Sequence, residues 1–318
     1  MHSQSVLLVG SGPMAVDYWN VLTAMSVPIT VVGRSEASAA RFQEKTGAEC
    51  VAGGIENYLA TAPVLPEVAI VAVTVEQLAP VARALIDAGV LRLLVEKPGA
   101  LNEAALTQLA ETARARGAQV YIAYNRRFYA SVIEARRIIA EEGGVRSLTF
   151  EFNEWSHIIE RIPKAPGVKE NWLVGNSTHV IDLAFHLAGS PTELYALTSG
   201  GLAWHPSAST FVGAGRTESG ALFSYHANWA APGRWGVEVL LPSKRLIFRP
   251  LEGLQYISLG KVAPVEIELD DALDKQFKPG LYRQVEVMLD GDVGLCTLDE
   301  QLANWPIYKR IANYGSDQ

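Results

Sequence analysis

The sequence has few of the residues and segments that define several large classes of protein. Its only two cysteines, Cys50 and Cys296, are far apart and lack the spacing of a metal site, which is typical of a reducing compartment. No apolar run approaches the roughly 20 residues that a membrane helix needs. The first apolar run, Val6–Val9, follows no basic region and is too short for a secretory signal. We therefore expect a cytoplasmic protein without a membrane partner.

Strong positive charge is also absent. The chain has 27 basic and 34 acidic residues, a net charge of −7, and it contains no long basic run. A nucleic acid or an anionic membrane surface is therefore not an expected partner. The 318 residues are 49% hydrophobic and 19% charged, which is an ordinary globular composition, and they suffice for two domains.

The first 124 residues alternate short apolar runs with longer helical patterns. The runs are rich in valine, isoleucine and leucine, as strands buried on both faces are, and they cover residues 6–9, 29–32, 68–73, 91–95 and 120–123. Helical patterns between them include residues 77–88 and 102–116. This alternation predicts an α/β Rossmann domain over residues 1–124, with a doubly wound parallel sheet.

A glycine-rich turn follows the first predicted strand and opens the first predicted helix. It is a G-x-G-x-x-A fingerprint made of Gly10, Ser11, Gly12, Pro13, Met14 and Ala15. The first glycine makes the tight turn, the second lets the backbone approach a pyrophosphate, and the small alanine lets the helix pack closely on the strand. The start of a helix also favours an anion. This context predicts a dinucleotide site in which residues 10–14 bind the cofactor.

The end of the second predicted strand indicates which dinucleotide is bound. NAD sites usually carry an acidic residue there for the adenosine ribose, whereas this chain has Arg34 and Ser35. A guanidinium can stack on adenine and bind a 2′-phosphate, and the hydroxyl can add a donor. We therefore expect NADP rather than NAD, the alternative being a solvated Arg34 and a Ser35 that only caps the next helix. Thr74 is expected either to line the cofactor or to cap a helix.

Two charged residues and a proline end the fourth predicted strand: Glu96, Lys97 and Pro98. Ligands of open α/β sheets bind at the carboxyl ends of the strands. Proline lacks an amide N–H and has a fixed φ, so it ends the strand and stiffens the turn that presents Lys97. A lysine can bind an oxygen through three donors, and its pKa falls readily on desolvation. The alternative for these residues alone is a surface Glu–Lys pair.

With these motifs in register, the chain resembles the glucose–fructose oxidoreductase / inositol dehydrogenase / MocA (Gfo/Idh/MocA) family. The resemblance continues through residues 124–128 and through the His-x-x-Asp segment at 178–183, so it covers most of the chain. It implies an α+β second domain, residues 125–318, with a large, mostly antiparallel sheet whose outer face forms homo-oligomers. It also implies hydride transfer between a nicotinamide and a carbinol or carbonyl carbon of a sugar, polyol or sugar derivative.

The resemblance further implies the roles of individual residues. Lys97 matches the catalytic lysine of the family, beside Glu96 at the nicotinamide, and His179 matches its catalytic or substrate-binding histidine. Many members carry an aspartate four residues before that histidine, where this chain has Gly175. We expect Asn176 to orient the substrate instead. The other expected substrate-binding residues are Tyr124, Arg127, Lys278 and Tyr282.

Patterns in the second half fit the implied sheet. An alternating strand pattern covers residues 145–154, and shorter ones follow at 194–198, 221–229, 235–241, 245–248 and 254–259. Residues 155–171 form a long loop, interpreted either as a cover over the substrate or as an ordinary surface loop. His179, Asp182 and His186 recur at helical spacing, but we expect no metal, because His186 between apolar neighbours is typical of a core histidine.

Two other functions remain open. One is a hydrolase or lyase that retains its dinucleotide and uses it for transient oxidation. The other is a non-catalytic NADP-binding regulator, which the glycine at position 175 makes plausible. We prefer the dehydrogenase because Lys97 and His179 are both present. The identity of the substrate, the direction of the reaction and the number of subunits do not follow from the sequence.

Overall fold

The structure, a computed structural model, describes residues 4–315 and divides into two compact units. The first unit contains the described residues up to Asn125 together with Lys275–Ala303. The second contains Arg126–Asp274 and the described residues from Asn304 onwards. The chain first passes from the first unit to the second after Asn125, one residue beyond the predicted end of the first domain. Residues 275–303 differ from the prediction, which assigns them to the second domain, and the outermost residues of both predicted domains lie outside the described range.

The bounds of the elements are as follows. The strands are β1 Val6–Val9, β2 Ile29–Val32, β3 Val68–Val71, β4 Arg92–Glu96, β5 Gln119–Ala123, β6 Ser147–Phe152, β7 Pro191–Ser199, β8 Thr210–Thr217, β9 Leu222–Asn228, β10 Trp235–Leu240, β11 Lys244–Phe248, β12 Gln255–Ser258, β13 Val265–Glu266 and β14 Cys296–Thr297. The helices are α1 Pro13–Ala24, α2 Glu36–Thr46, α3 Gly54–Ala60, α4 Leu78–Asp87, α5 Glu103–Arg116, α6 Ala130–Glu141, α7 Ser156–Ile159, α8 Thr178–Ala188, α9 Ala272–Gln276, α10 Leu281–Asp290 and α11 Leu298–Ala312.

The first unit is built on a six-stranded sheet with the order β14-β5-β4-β3-β1-β2. Strands β1 to β5 pair with one another in the parallel sense, and β1 and β3 are buried along their whole length. The continuous apolar runs of the sequence are therefore strands covered on both faces, as parallel sheets require. The predicted Rossmann fold is confirmed.

Residues 275–303 join the first unit through one helix and one short strand. β14 pairs with β5 in the antiparallel sense, with Cys296 opposite Ile122. α10 buries one face of its helix, which contains Leu281, Gln284, Val285 and Met288. A strand of two residues is too short to leave an alternating pattern, so no local signal identifies this return to the first sheet.

The second unit is built on an eight-stranded sheet with the order β13-β12-β11-β10-β6-β9-β8-β7. Only the β6–β9 pair is parallel among these described strands, so the predicted, mostly antiparallel sheet is confirmed. Its buried face is rich in aromatic residues, and α8 packs against it. Phe185 of this helix meets Phe150 of β6 edge to face at 5.7 Å. The sheet thereby holds the helix that carries His179.

The sequence patterns do not identify β8, which contains two glycines. Glycine inside a strand normally weakens the prediction of a strand. Here a Cβ on Gly213 would lie 2.3 Å from the Tyr225 hydroxyl, and one on Gly215 would lie 1.9 Å from the Glu193 carbonyl oxygen. The two glycines therefore make room for the side chain of a neighbouring strand and for the backbone of another.

Within residues 4–315, no helix is long and apolar enough to cross a membrane.

Candidate active site

The two glycines of the first turn are needed for different reasons. Gly10 has a φ of +131°, and a Cβ there would lie 2.2 Å from the carbonyl oxygen of Ala72, so the turn excludes any side chain. Gly12 has an ordinary φ of −84°, and a Cβ there would meet nothing within 4 Å. The fold therefore requires the first glycine, whereas the second leaves open space beside the backbone. Such space is what a pyrophosphate needs to approach the chain.

The start of α1 is suited to an anion. Gly12 is the N-cap and has no side chain to cap the helix, and Pro13 occupies the first turn without an N–H. Among the described residues, Val16 has the first amide of this helix with a backbone acceptor, the Gly12 carbonyl oxygen at 3.2 Å. The preceding N–H groups, together with the helix dipole, favour a phosphate.

Ser35 and Arg34, which follow β2, make different contacts. Ser35 caps α2, because its Oγ accepts a hydrogen bond from the Ser38 amide at 3.3 Å and the Ser35 amide donates to Ser38 Oγ at 3.2 Å. The cap role that the sequence left open for Ser35 is therefore present. Arg34 is exposed and forms no ion pair within residues 4–315. A Cβ on Gly33 would lie 2.9 Å from Ser11 Oγ, so the end of β2 lies beside the glycine turn.

Thr74 follows β3 and precedes a single 3₁₀ turn, Val75–Gln77. Its side chain is exposed and its hydroxyl donates to Glu76 Oε1, while its carbonyl oxygen accepts from the Gln77 amide at 2.8 Å. The predicted helix over 77–88 therefore starts as this turn and continues as α4. Thr74 begins the turn through its backbone and does not cap it with its side chain.

The turn that carries Lys97 is held by two distant residues. Tyr18 of α1 is fully buried, and its hydroxyl donates to Glu96 Oε1 at 2.8 Å. Burial, and then the charge of Glu96, raise the pKa of Tyr18 well above its ordinary value, so this phenol stays a neutral donor. On the other side, Gln301 Nε2 donates to the Pro98 carbonyl oxygen at 2.9 Å. Lys97 is half-buried between these two anchors, and its peptide bond to Pro98 is cis.

The predicted substrate-binding residues of the first unit have structural partners. Tyr124 is completely buried, and its hydroxyl donates to Gln301 Oε1 at 3.1 Å, so it supports the same turn from within the core. Lys278 lies 3.5 Å from Asp17 of α1, with both side chains partly exposed. The Tyr282 ring packs on Phe277 with the centroids 5.2 Å apart. Of these three predicted residues, Tyr124 is the one whose burial leaves no surface for a ligand.

In the second unit, a π-helical turn, Leu173–Ser177, leads directly into α8. His179 is 7% exposed, and its ring centroid lies 6.1 Å from that of Trp235. His186, two turns later, has a pKa lowered to about 2, first by burial and then by the charges of Arg127 and Arg136. It is therefore neutral, as expected for a core histidine.

Arg127 and Asp182 form a buried ion pair within the second unit. The guanidinium donates to both carboxylate oxygens, from Nε to Oδ2 at 2.9 Å and from Nη2 to Oδ1, and both side chains are less than a twentieth exposed. Two parallel bonds of this kind hold both groups firmly. The pair accounts for Arg127 without a substrate, and the neighbouring Arg126 is the residue of this segment that lines a cavity.

This cavity of about 330 Å³ lies wholly within the second unit. Its wall includes three tryptophans, Trp155, Trp172 and Trp235, and the polar residues Arg126, Glu154 and Asn176. The Arg126 guanidinium stacks on the Trp235 ring at 4.8 Å. Trp172 Nε1 is buried, and no acceptor bonds it among the described residues. A buried donor without a partner is rare in proteins.

Part of the loop at 155–171 lines this cavity. The residues at its beginning form the wall: Trp155, Ile158 and Ile159, the last two in the short helix α7. Trp155 Nε1 donates to the Gly233 carbonyl oxygen at 3.3 Å, and Ser156 Oγ accepts from Trp204 Nε1 at 2.9 Å. This part of the loop is therefore anchored on both sides and lines the cavity.

Glu154 is one of the cavity residues that the sequence patterns do not identify. It lies just beyond the end of β6, is 7% exposed, and accepts hydrogen bonds from Asn176 and Ser177. In the alternating pattern it is one more acidic residue near the end of a strand. Buried carboxylates are rare unless they are paired or functional, but burial beyond the end of a strand leaves no local signal.

Comparisons with known proteins agree with this architecture. A sequence model of the oxidoreductase family with an NAD-binding Rossmann fold (GFO_IDH_MocA) matches residues 4–124. No curated protein matches the chain by sequence.

Solved structures match over nearly the whole chain. A putative NADPH-dependent oxidoreductase from Desulfitobacterium hafniense is 17% identical, with a TM-score of 0.80, and the match covers 100% of this chain and 97% of that one. Levoglucosan dehydrogenase with NADH and L-sorbose is 18% identical (TM-score 0.79; 100% and 98% covered). UDP-N-acetylglucosamine 3-dehydrogenase from Acidithiobacillus ferrooxidans is 16% identical (TM-score 0.74; 98% and 97% covered). At such identities the likeness is one of fold. Residues 4–124 therefore match the NAD-binding domain of the Gfo/Idh/MocA oxidoreductases, and the chain as a whole shares the fold of these solved oxidoreductases.

Proposed function

We propose that this oxidoreductase uses NADP to transfer a hydride to or from a carbinol or carbonyl carbon of a sugar, polyol or sugar derivative. The observation that carries the proposal is the cavity of the second unit, with three tryptophans and a few polar side chains in its wall. Small-molecule sites are typically apolar and aromatic, with a small number of polar groups that fix orientation. Two proteins of similar fold, levoglucosan dehydrogenase and UDP-N-acetylglucosamine 3-dehydrogenase, are named for sugar substrates.

The glycine turn fits the cofactor. The open space beside Gly12 and the uncapped start of α1 suit a pyrophosphate. Residues 10–14 bind that group, Thr74 borders the cofactor after β3, and Glu96 and Lys97 reach its nicotinamide end. When bound, the nicotinamide supplies the redox chemistry by accepting or giving the hydride, and the protein supplies orientation and electrostatics.

The preference for NADP depends mainly on Arg34. Its guanidinium is exposed at the end of β2, beside the glycine turn, and no acidic side chain within residues 4–315 pairs with it. A guanidinium recognises a phosphate through two parallel hydrogen bonds. Ser35 contributes less than the sequence suggests, because its hydroxyl is used in capping α2.

The composition of the cavity wall supports a sugar-like substrate. Trp155, Trp172 and Trp235 give the wall aromatic, apolar surface of the kind that packs against the C–H groups of a sugar ring. Glu154 and Asn176 supply acceptors for its hydroxyl groups.

Lys97 and His179 carry the chemistry. The Lys97 ammonium group binds the reacting oxygen and stabilises negative charge on it. The His179 imidazole holds the proton that leaves or joins this oxygen, because histidine exchanges protons near neutral pH. The anchors of the Lys97 turn, Tyr18 and Gln301, keep the lysine in position.

Turnover of a sugar panel tests the proposal. We would incubate cofactor-free protein with NADP⁺ and glucose, myo-inositol, levoglucosan or UDP-N-acetylglucosamine, and follow the absorbance of reduced nicotinamide. We expect turnover of at least one compound, and we expect Lys97→Met to abolish it while NADPH binding stays unchanged. Loss of NADPH binding in Lys97→Met would identify a structural lysine. Absence of turnover by the unaltered protein would contradict the dehydrogenase.

The outer face of the second sheet supports the proposed homo-oligomer. Tyr195 and Leu197 of β7 are 70% and 75% exposed, and Val212 of β8 and Leu222 of β9 are also exposed. Large apolar side chains grouped on one exposed face are typical of a protein interface.

A further inference from the structure

Position 175 lacks the carboxylate that the family resemblance leads one to expect. Gly175 lies in the π-helical turn before His179, and a Cβ placed on it would meet nothing within 4 Å. There is room for a side chain at this position, but a glycine has none to offer to a ligand. The structure brings a carboxylate to the same turn from another element, because Glu154 follows β6 and lines the cavity.

Three hydrogen bonds connect Glu154 with the two residues after Gly175. Asn176 Nδ2 donates to both carboxylate oxygens, at 3.0 Å to Oε1 and 3.1 Å to Oε2. Ser177 Oγ donates to Oε1 at 2.7 Å. Donors to an ionised carboxylate favour its charged form, which offsets the cost of burying it. The turn and the carboxylate therefore hold each other in place.

This contact determines the orientation of the Asn176 amide. An ionised carboxylate only accepts hydrogen bonds, so the NH₂ end of Asn176 must face Glu154 and the carbonyl oxygen must face away from it. No donor among the described residues bonds Asn176 Oδ1. Asn176 itself lines the cavity, which makes this oxygen a candidate acceptor for a ligand.

We propose that Glu154 is a positioning residue of the substrate site: it orients Asn176 so that Oδ1 accepts a hydrogen bond from a substrate hydroxyl. This inference rests on the proposed function and adds the group that takes the place of the missing aspartate. It also identifies the recognised chemistry, a hydroxyl that donates to an amide oxygen. The absence of an acidic residue at 175 is then no longer a reason to regard the protein as a non-catalytic regulator.

Glu154→Gln tests the proposal because it keeps the size of the side chain and removes its charge. A glutamine in this position can turn its NH₂ towards Asn176, which then rotates and presents its own NH₂ to the cavity. We expect KM for the sugar to rise about tenfold, the effect of one lost hydrogen bond, with kcat changed much less. Glu238→Gln is the control, since it removes a carboxylate from β10 that pairs with Arg245 away from the cavity.

The double variant Glu154→Gln with Asn176→Asp separates positioning from general stability. It exchanges the amide and the carboxylate across the same contact, so the amide donates from position 154 and an acceptor oxygen again faces the cavity. We expect KM to return towards that of the unaltered protein. A structural role alone would leave the double variant no better than the single one.

The readouts distinguish this proposal from the proposed function. We would measure turnover with NADP⁺, binding of the same sugars through the fluorescence of the cavity tryptophans, and NADPH binding through nicotinamide fluorescence. An unchanged KM in Glu154→Gln, or a double variant that does not recover, would overturn the role of Glu154 alone. If the unaltered protein binds NADPH but neither binds nor turns over any sugar of the panel, both proposals fail.

Discussion

The hydroxyl of Tyr18 donates a hydrogen bond to Glu96 Oε1 at 2.8 Å, across 78 positions of the sequence. Tyr18 lies on the helix that the glycine turn opens, and Glu96 directly precedes Lys97. A single, partly buried contact therefore ties the helix after the glycine turn to the turn that presents Lys97, the proposed catalytic lysine. The phenol remains a neutral donor, because burial and the charge of Glu96 raise its pKa.

Tyr18→Phe is expected to lower the free energy of unfolding by about 1–2 kcal/mol, because a half-buried carboxylate loses its donor. The pKa of Tyr18 is raised in the folded protein, so its stabilising effect is complete below pH ~10 and is lost as the pH rises above that value. Urea denaturation between pH 7 and pH 11 measures this. The variant should lose less stability than the unaltered protein over this range, and equal losses would contradict the prediction.

Gly10→Ala and Gly12→Ala should fail in different ways. The first places a Cβ 2.2 Å from a carbonyl oxygen and in a backbone conformation that alanine rarely adopts, so we expect a loss of stability of several kcal/mol or no folded protein. The second finds open space, so we expect a folded protein with NADPH binding weakened at least tenfold. Thermal unfolding and NADPH titration separate the two effects. Normal NADPH binding by Gly12→Ala would place the pyrophosphate elsewhere.

Arg34→Ala is expected to weaken NADPH binding by tenfold or more and to leave NADH binding nearly unchanged. The reason is the loss of charge-assisted hydrogen bonds to the 2′-phosphate, which are worth roughly 1.5–3 kcal/mol. Titrations that follow nicotinamide fluorescence give both affinities. Arg41→Ala, an exposed arginine of the same helix region, is the matched control. An unchanged NADPH/NADH affinity ratio in Arg34→Ala would remove the basis for NADP.

Because of His186, the free energy of unfolding is expected to decrease as the pH falls. Its pKa in the folded protein is lowered to about 2, against an ordinary value of about 6.5, so its contribution is complete above pH ~6.5 and is lost as the pH falls. The slope is at most about 1.4 kcal/mol per pH unit. We expect His186→Gln to reduce the dependence of unfolding free energy on pH between 7 and 4. His157→Gln, at an exposed position, should leave the slope as it is.

The exposed apolar residues on the outer face of the second sheet predict that the homo-oligomer forms through this face. Leu197→Glu and Tyr195→Glu place charges on two of the most exposed apolar residues of β7. If the homo-oligomer forms through this face, sedimentation equilibrium should show dissociation towards monomers with the fold retained. Lys261→Glu, which changes the charge at an exposed position beyond β12, is the control. An unchanged assembly in the β7 variants would assign the interface to another surface.

Local patterns in the sequence were sufficient for much of the fold and for the cofactor motifs. The strands β1 to β5 could be predicted because burial on both faces demands continuous apolar runs. The glycine turn could be predicted because steric limits act on single residues: Gly10 meets the carbonyl oxygen of Ala72. Glu96 and Lys97 stood out because charged residues directly follow an apolar strand.

The tertiary structure alone decided which distant residues support these motifs. Gln301 meets Pro98 across 203 positions, and Glu154 meets Asn176 across 22, on elements whose local sequences are ordinary. Tyr124 and Arg127 likewise proved to be buried partners of Gln301 and Asp182. Hydrogen bonds between side chains depend on where the chain returns in space, and no periodic pattern in the sequence records that return. The sequence by itself therefore determined most of the strands and the motifs, and the packing of the folded chain determined which side chains orient them.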